Sequence, residues 1–161
     1  MTNAEIMQRW FDEVWNDQKV DVIDELFAED GIAGGLANED GTPVIGPKDY
    51  KPFQQRFLNA YPDLKVELED TVTEGEKIAI RCRVTGTHCG DGIGVKPCNK
   101  SVDFGFIGIA RIRDGKIVEE REYTFEATNP RTDSGHQQVQ TQMPQLTQGA
   151  PEHDVVWVAD T

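Results

Sequence analysis

The sequence predicts an α+β protein in which three N-terminal helices pack on one face of a curved antiparallel sheet. Two observations predict it. Apolar residues recur at helical spacing only before Tyr61, whereas apolar/polar alternation begins at Lys65 and runs to Phe125, broken by turn residues. Helices gathered at one end of the chain and strands at the other define the class.

Residues 4–16 carry Ile6, Met7, Trp10, Phe11, Val14 and Trp15 at three- and four-residue spacing, one broad apolar stripe of a helix. Thr2 or Asn3 can cap it, and Glu5 suits the positive end of its dipole. Asn16-Asp17-Gln18 ends it. A shorter helix follows, opened by Asp21, with Val22, Ile23, Leu26 and Phe27 on its inner side. From Gly31 to Gly46 periodicity disappears among Gly, Ala, Asn and Asp, which predicts a loop with at most a short strand at Gly31 to Ala33. Gly46-Pro47 opens the third helix, whose buried face is Tyr50, Phe53, Phe57 and Leu58. Tyr61-Pro62-Asp63 stops it.

Lys65 to Thr73 is the first alternating strand, and Glu74-Gly75-Glu76 turns it into the next. Residues 78–125 then hold the densest pattern. Ile78, Ile80, Cys82 and Val84 share one face of a strand, and Val102, Phe104, Phe106, Gly108, Ala110 and Ile112 share one face of another. After the Asp114-Gly115 turn, Ile117, Glu119, Arg121, Tyr123 and Phe125 share a face of the last. On this reading two inner rows end in polar groups: His88 prolongs the Ile78 row and Arg121 the Ile117 row. Polar groups on a core-facing row need partners or a cavity, so function is sought there.

At 161 residues the chain can bury a core without staples, and residues 1–128 read as one domain. Residues 129–161 differ in character. Six glutamines fall between Gln137 and Gln148 among Thr, Pro, Ser and Gly, which predicts a flexible tail. Asp154 to Ala159 within it is β-prone and could form a terminal strand on a sheet edge. A net charge of −13 argues against nucleic acid and against an acidic membrane surface as partners. Three cysteines without C-x-x-C spacing, and opening residues without a basic start or apolar run, point to a cytoplasmic protein. His88, Cys89, Asp91 and Cys98 match no standard metal-ligand spacing, so no metal is expected. A Cys89–Cys98 disulfide would require an oxidising compartment. There is no Gly-rich phosphate loop, and no cofactor is expected.

Phe11-x-x-Val-Trp15-Asn16, Asp24-Glu25-Leu26-Phe27-Ala28-x-Asp30, Tyr61-Pro62-Asp63, Gly86-Thr87-His88 and Arg111-x-x-Asp-Gly-Lys-Ile117-x-Glu119 follow one another in an order that resembles SnoaL-like polyketide cyclases, also called ester cyclases. The resemblance covers roughly residues 4–125. It implies the nuclear-transport-factor-like cone, a bent sheet wrapped by three helices around an apolar pocket. It also implies chemistry on a hydrophobic carbonyl compound; cyclases of this kind close polyketide methyl esters by an aldol reaction. Two departures stand out. The region after the second helix reads Ile32-Ala33-Gly34-Gly35 where relatives often carry a histidine, and Gly108 falls where cyclases place an acid/base aspartate. In the Gly-rich crossing, Pro97-Cys98-Asn99 replaces Pro-Thr-Gly, and Asn can take the same left-handed turn.

The candidate catalytic residues are His88 as acid or base, with Arg121 and Tyr123 orienting the oxygen that gains charge. The alternative for His88 is a histidine that satisfies loop backbone, and for Arg121 an internal ion pair with Glu119. Trp10, Trp15, Tyr50, Phe53, Phe57, Phe104 and Phe106, with Gly108 and Glu119, are candidates to line the pocket, although the aromatics are first of all core. Three readings follow. The chain is a cofactor-independent enzyme moving a proton in cyclisation, isomerisation or hydration; a non-catalytic binder of a hydrophobic small molecule; or a module that forms a homodimer through the sheet face near Arg81, Arg83 and Thr85.

Overall fold

A computed structural model describes residues 1–125. The tail expected over 129–161, with its terminal strand, and the end of the 1–128 domain lie outside the described residues. Helix α1 (Asn3–Arg9) opens with a reciprocal cap, in which the Glu5 N–H donates to Thr2 Oγ1 and the Thr2 N–H donates to the Glu5 carboxylate. It continues into a π-wound segment, Trp10–Asn16, after which the Asp17 N–H donates five residues back to the Asp12 carbonyl. Trp10, Phe11, Val14 and Trp15 all lie buried along it. The carbonyl of Val14 accepts the buried Gln54 amide from the third helix. Helix α2 is Val22–Leu26, and α3 is Gly46–Ala60.

Strands β1 (Phe27–Ala37), β2 (Pro43–Ile45), β3 (Lys65–Glu74), β4 (Lys77–Thr87), β5 (Ser101–Arg113) and β6 (Lys116–Phe125) form one sheet in the order β2-β1-β6-β5-β4-β3. The fold is α+β, as the pattern predicts, but the sheet is mixed, because β1 runs parallel to β6. Two of its strands come from the stretch read as loop. The small residues of β1 show no alternation because its register breaks against both neighbours, between Phe27 and Ile32 and again between Ala33 and Ala37. Helix α3 packs over β1 and the π-wound segment over β3. Between helices and sheet lies the core, with Ile78, Ile80, Cys82 and Val84 all buried on β4 and Phe106, Ala110 and Ile112 on β5.

Strand β6 departs from simple alternation in a way that moves the chemistry. Ile112 pairs with Ile117, but the next pair is Arg111 with Glu119, so Val118 has no counterpart on β5. This β-bulge shifts the phase of every later residue by one. Ile117 still faces the core, but Glu120 and Glu122 follow it inward, while Glu119, Arg121 and Tyr123 turn to the outer face. The face expected for Arg121, Tyr123 and Glu119 is therefore corrected.

The start of α3 depends on one backbone conformation. Gly46 has φ +69°, and a Cβ there would stand 2.2 Å from the Glu29 carbonyl oxygen of β1. Gly46→Ala is expected to cost at least about 2 kcal/mol, the scale of local backbone strain, read as a lowered urea midpoint. A shift below about 0.5 kcal/mol, the scale of an ordinary surface substitution, would show that the helix start relaxes freely.

Candidate active site

The inner sheet face and the helices leave a cavity of about 80 Å³. Its wall is aromatic: Phe11 and Trp15 from the π-wound segment, Tyr50, Phe53 and Phe57 from α3, and Phe104 and Phe106 from β5. Leu36, Leu64, Val66 and Val84 complete the apolar lining, and Glu122 is the one charged residue on it. The rings hold each other in place. Trp15 meets Tyr50 and Phe57 edge-on at 6.2 and 5.9 Å, and Phe53 stacks on Phe57 at 6.1 Å.

Two carboxyls enter this apolar space from β6. Glu122 reaches the cavity and pairs across the strands with Gly108 of β5. A Cβ at Gly108 would already press on Ile80 at 3.1 Å. The inward carboxylate thus stands directly across the strand pair from the position where the family resemblance places an aspartate. Glu120, 4 % exposed, lies one pleat back between Ala33 of β1 and Ala110 of β5. Burial raises the pKa of Glu120 well above the ordinary carboxylate range, with the neighbouring Glu122 charge adding to it, and desolvation against the cavity wall raises Glu122, whose side chain stays open to solvent. Tyr50 stands beside Glu120 and partly offsets its rise, and the Tyr50 ring meets Trp15 edge-on. Burial, followed by the two carboxylates, holds the Tyr50 phenol well above its own usual pKa, so it remains a donor. The arrangement sets Trp15, Tyr50 and Glu120 side by side, with Glu122 at the cavity wall.

The residues anticipated from sequence divide cleanly. Trp15, Tyr50, Phe53, Phe57, Phe104 and Phe106 line the cavity. Trp10 is buried behind them against Phe27 and Tyr50, and Gly108 does not line the cavity but packs closely under Ile80. His88 is buried, but not on this wall. Its ring lies on Tyr61 at 5.2 Å and its Nδ1 is 3.6 Å from Cys98 Sγ, while Nε2 has no partner among the described residues. Its backbone ties down the crossing, with the N–H donating to Lys100 and the carbonyl accepting from Cys98 and Asn99. Asn99 takes the expected left-handed turn, φ 54°. Arg121 and Tyr123 lie outside, bordering an outer groove of about 410 Å³ with Lys77, Ile109, Arg111 and Glu119; Glu119 pairs with Arg111 at 3.6 Å rather than with Arg121. Glu120 and Glu122 escaped the sequence reading. The signal that could have found them is the trio Ala33, Gly108 and Ala110, small residues flanking acids on one sheet. Among the described residues no three His, Cys, Asp or Glu side chains converge as a metal site, and all three cysteines are free, with burial pushing Cys82 up to about 12.

Helices laid over a mixed sheet define a class of fold shared with known proteins. The chain belongs to the SnoaL-like polyketide cyclase family, which its sequence matches over residues 5–128. It is similar to a candidate SnoaL-like polyketide cyclase from Jannaschia sp. CCS1, with 27% identity and a TM-score of 0.67 over 76% of this chain and 84% of that one. IdmH, a candidate polyketide cyclase from Streptomyces antibioticus, shows 25% identity and a TM-score of 0.66 over 77% and 92%. AclR, a candidate hydroxylase from Streptomyces galilaeus, shows 25% identity and a TM-score of 0.60 over 77% of each chain. No curated protein sequence matches the chain.

The buried acid also sets a pH dependence. A carboxyl whose pKa is raised in the folded state holds its proton more tightly there. Its contribution to stability is full below the unfolded value, 4.5 for Glu120, and is lost as pH climbs through the raised value. Glu120→Gln keeps the shape of the side chain and removes the titration. Relative to this variant, the parent chain should lose roughly 1–3 kcal/mol between pH 4 and pH 9, read from urea midpoints. Parallel stability curves for the two chains would mean that Glu120 is not held protonated.

Proposed function

We propose that the cavity is the ligand site of a small-molecule enzyme that moves a proton on a hydrophobic carbonyl compound, in cyclisation, isomerisation or hydration, with Glu122 as its acid/base. Family membership, and neighbours named as candidate cyclases and a hydroxylase, support an enzyme-like role on a small molecule. The observation that carries the reading is Glu122 itself: a lone ionisable acid on an aromatic wall, raised by desolvation toward the pH at which it can both take and return a proton. Glu120 and Tyr50 are positioning groups behind it. This reading moves the acid/base role from His88, and the orienting roles from Arg121 and Tyr123, to the β6 carboxyls. The cavity's volume narrows the substrate. Pockets for drug-sized ligands run to roughly 300–1,000 Å³, so about 80 Å³ suits a small carbonyl compound or the reacting end of a larger one.

The test is deuterium uptake from solvent at the carbon beside the carbonyl in a panel of small aryl and cyclic ketones, followed by NMR. Glu122→Gln should slow uptake by about 10²- to 10⁴-fold, and His88→Ala should leave it unchanged. Uptake that survives Glu122→Gln would remove Glu122 from the mechanism, and saturable binding with no uptake would favour a binding protein.

The outer sheet face supports a homodimer. Ile107 and Tyr123 pair across β5 and β6, and Ile109 lies beside them, each about half exposed. Ion pairs border this patch, Arg83 with Asp103 at 2.6 Å and Arg81 with Glu69 at 3.3 Å. An apolar centre with a charged rim is the anatomy of a protein interface. The 18.0 kDa chain should sediment at twice its mass, and Ile109→Lys with Tyr123→Glu should return it to monomer. A parent chain that is already monomeric at all concentrations would sink the dimer.

A further inference from the structure

The cavity wall is electrically one-sided. Among the described residues no Lys, Arg or His lines it. Its charged group is Glu122, and the titratable groups facing Glu122 are Glu120 beside it on β6, Tyr50 from α3 and Cys82 from β4. All of these are acids. Aromatic ring faces are themselves the negative end of a quadrupole, so the neutral part of the wall leans the same way. The chain's net charge of −13 extends that bias beyond the site. An anion entering here would meet repulsion and no donor of positive charge, whereas a compact, weakly hydrated cation would find both a carboxylate and ring faces.

We propose that this cavity binds an organic ammonium group, a methylated amine or the ammonium end of a larger molecule, held by the Glu122 carboxylate against Trp15, Tyr50, Phe53, Phe57 and Phe106, and that it rejects carboxylates and phosphates. The proposal rests on the reading of this cavity as the ligand site, not on the proton-transfer step. The size agrees. A cavity of roughly 150 Å³ takes a six-carbon ring, so about half that volume takes a group of roughly three or four heavy atoms, the scale of a trimethylammonium head. A primary amine would give up strong hydration to enter, and methyl groups lower that cost while offering contact to the rings. Binding also has a proton consequence. Glu122 keeps its proton to an unusually high pH because desolvation penalises its charge. A bound cation favours the carboxylate, so near neutrality the complex forms with release of a proton to buffer.

The experiment is isothermal titration calorimetry of the full chain with three probes of similar shape: choline, its neutral carbon isostere 3,3-dimethylbutan-1-ol, and the anion pivalate. Choline is expected to bind at least about fivefold more tightly than the alcohol, within the range of cation–ring attraction, and pivalate not to saturate. Choline binding in buffers of different ionisation enthalpy should report proton release, and Glu122→Gln should remove both the preference and the release. Choline that does not saturate, an alcohol that binds equally well, or a preference that survives Glu122→Gln overturns the proposal. The three-probe comparison on the unaltered chain stands even if the variant folds poorly. Equal binding of the probes alongside Glu122-dependent deuterium uptake would overturn the ammonium assignment and leave the acid/base reading intact. A choline preference with no uptake on any ketone would do the reverse.

Discussion

Taking Glu120 out of water, with Glu122 beside it at the cavity, is the constraint around which the surrounding residues are arranged. A buried carboxylate without a counter-charge is costly, and the usual relief is to keep the proton. The cross-strand partners of the two acids are all small: Ala33 and Ala110 for Glu120, and Gly108 for Glu122. Tyr50 stands beside Glu120 and eases its burial, its ring wedged among Trp10, Phe27 and Phe53 at 5.0, 5.2 and 5.8 Å. The aromatic core is therefore more than hydrophobic filling. It fixes the angle from which a single polar hydroxyl approaches a single buried acid.

The two faces of the sheet solve opposite electrostatic problems. Inside, acids stand without cations and titrate upward. Outside, arginines are matched to acids in solvent: Arg83 with Asp103, Arg113 with Glu76 and Arg111 with Glu119. Such exposed pairs add little to stability, of the order of 0–1 kcal/mol each.

The helices, β3 to β5 and the aromatic wall were legible because they obey periodicity. Ile78, Ile80, Cys82 and Val84 alternate and are buried as alternation requires, and the α3 face of Tyr50, Phe53 and Phe57 meets the cavity. Strand β1 was not legible, since glycine and alanine give no alternating signal and its pairing partner, β6, lies far along the chain. The acids were missed for a different reason. Counting by twos from Ile117 puts Arg121 and Tyr123 inside, and only pairing with β5 reveals that Val118 is an extra residue. His88 was correctly read as prolonging a buried row, but that row runs past the cavity and under Tyr61.

The bulge at Val118 also bears on how this site could change over generations. Most substitutions near the cavity alter one side chain at a time. Loss of Val118 would remove the bulge and leave Glu120 and Glu122 facing inward, whereas drawing Val118 into regular pairing would exchange inside for outside along the rest of the strand and present Glu119, Arg121 and Tyr123 to the aromatic wall. The same chain, with its bulge smoothed out, would line its cavity with a guanidinium and a phenol beside an acid. Two sites of different charge are thus separated by one step of strand register, a far smaller step than the number of differing side chains suggests.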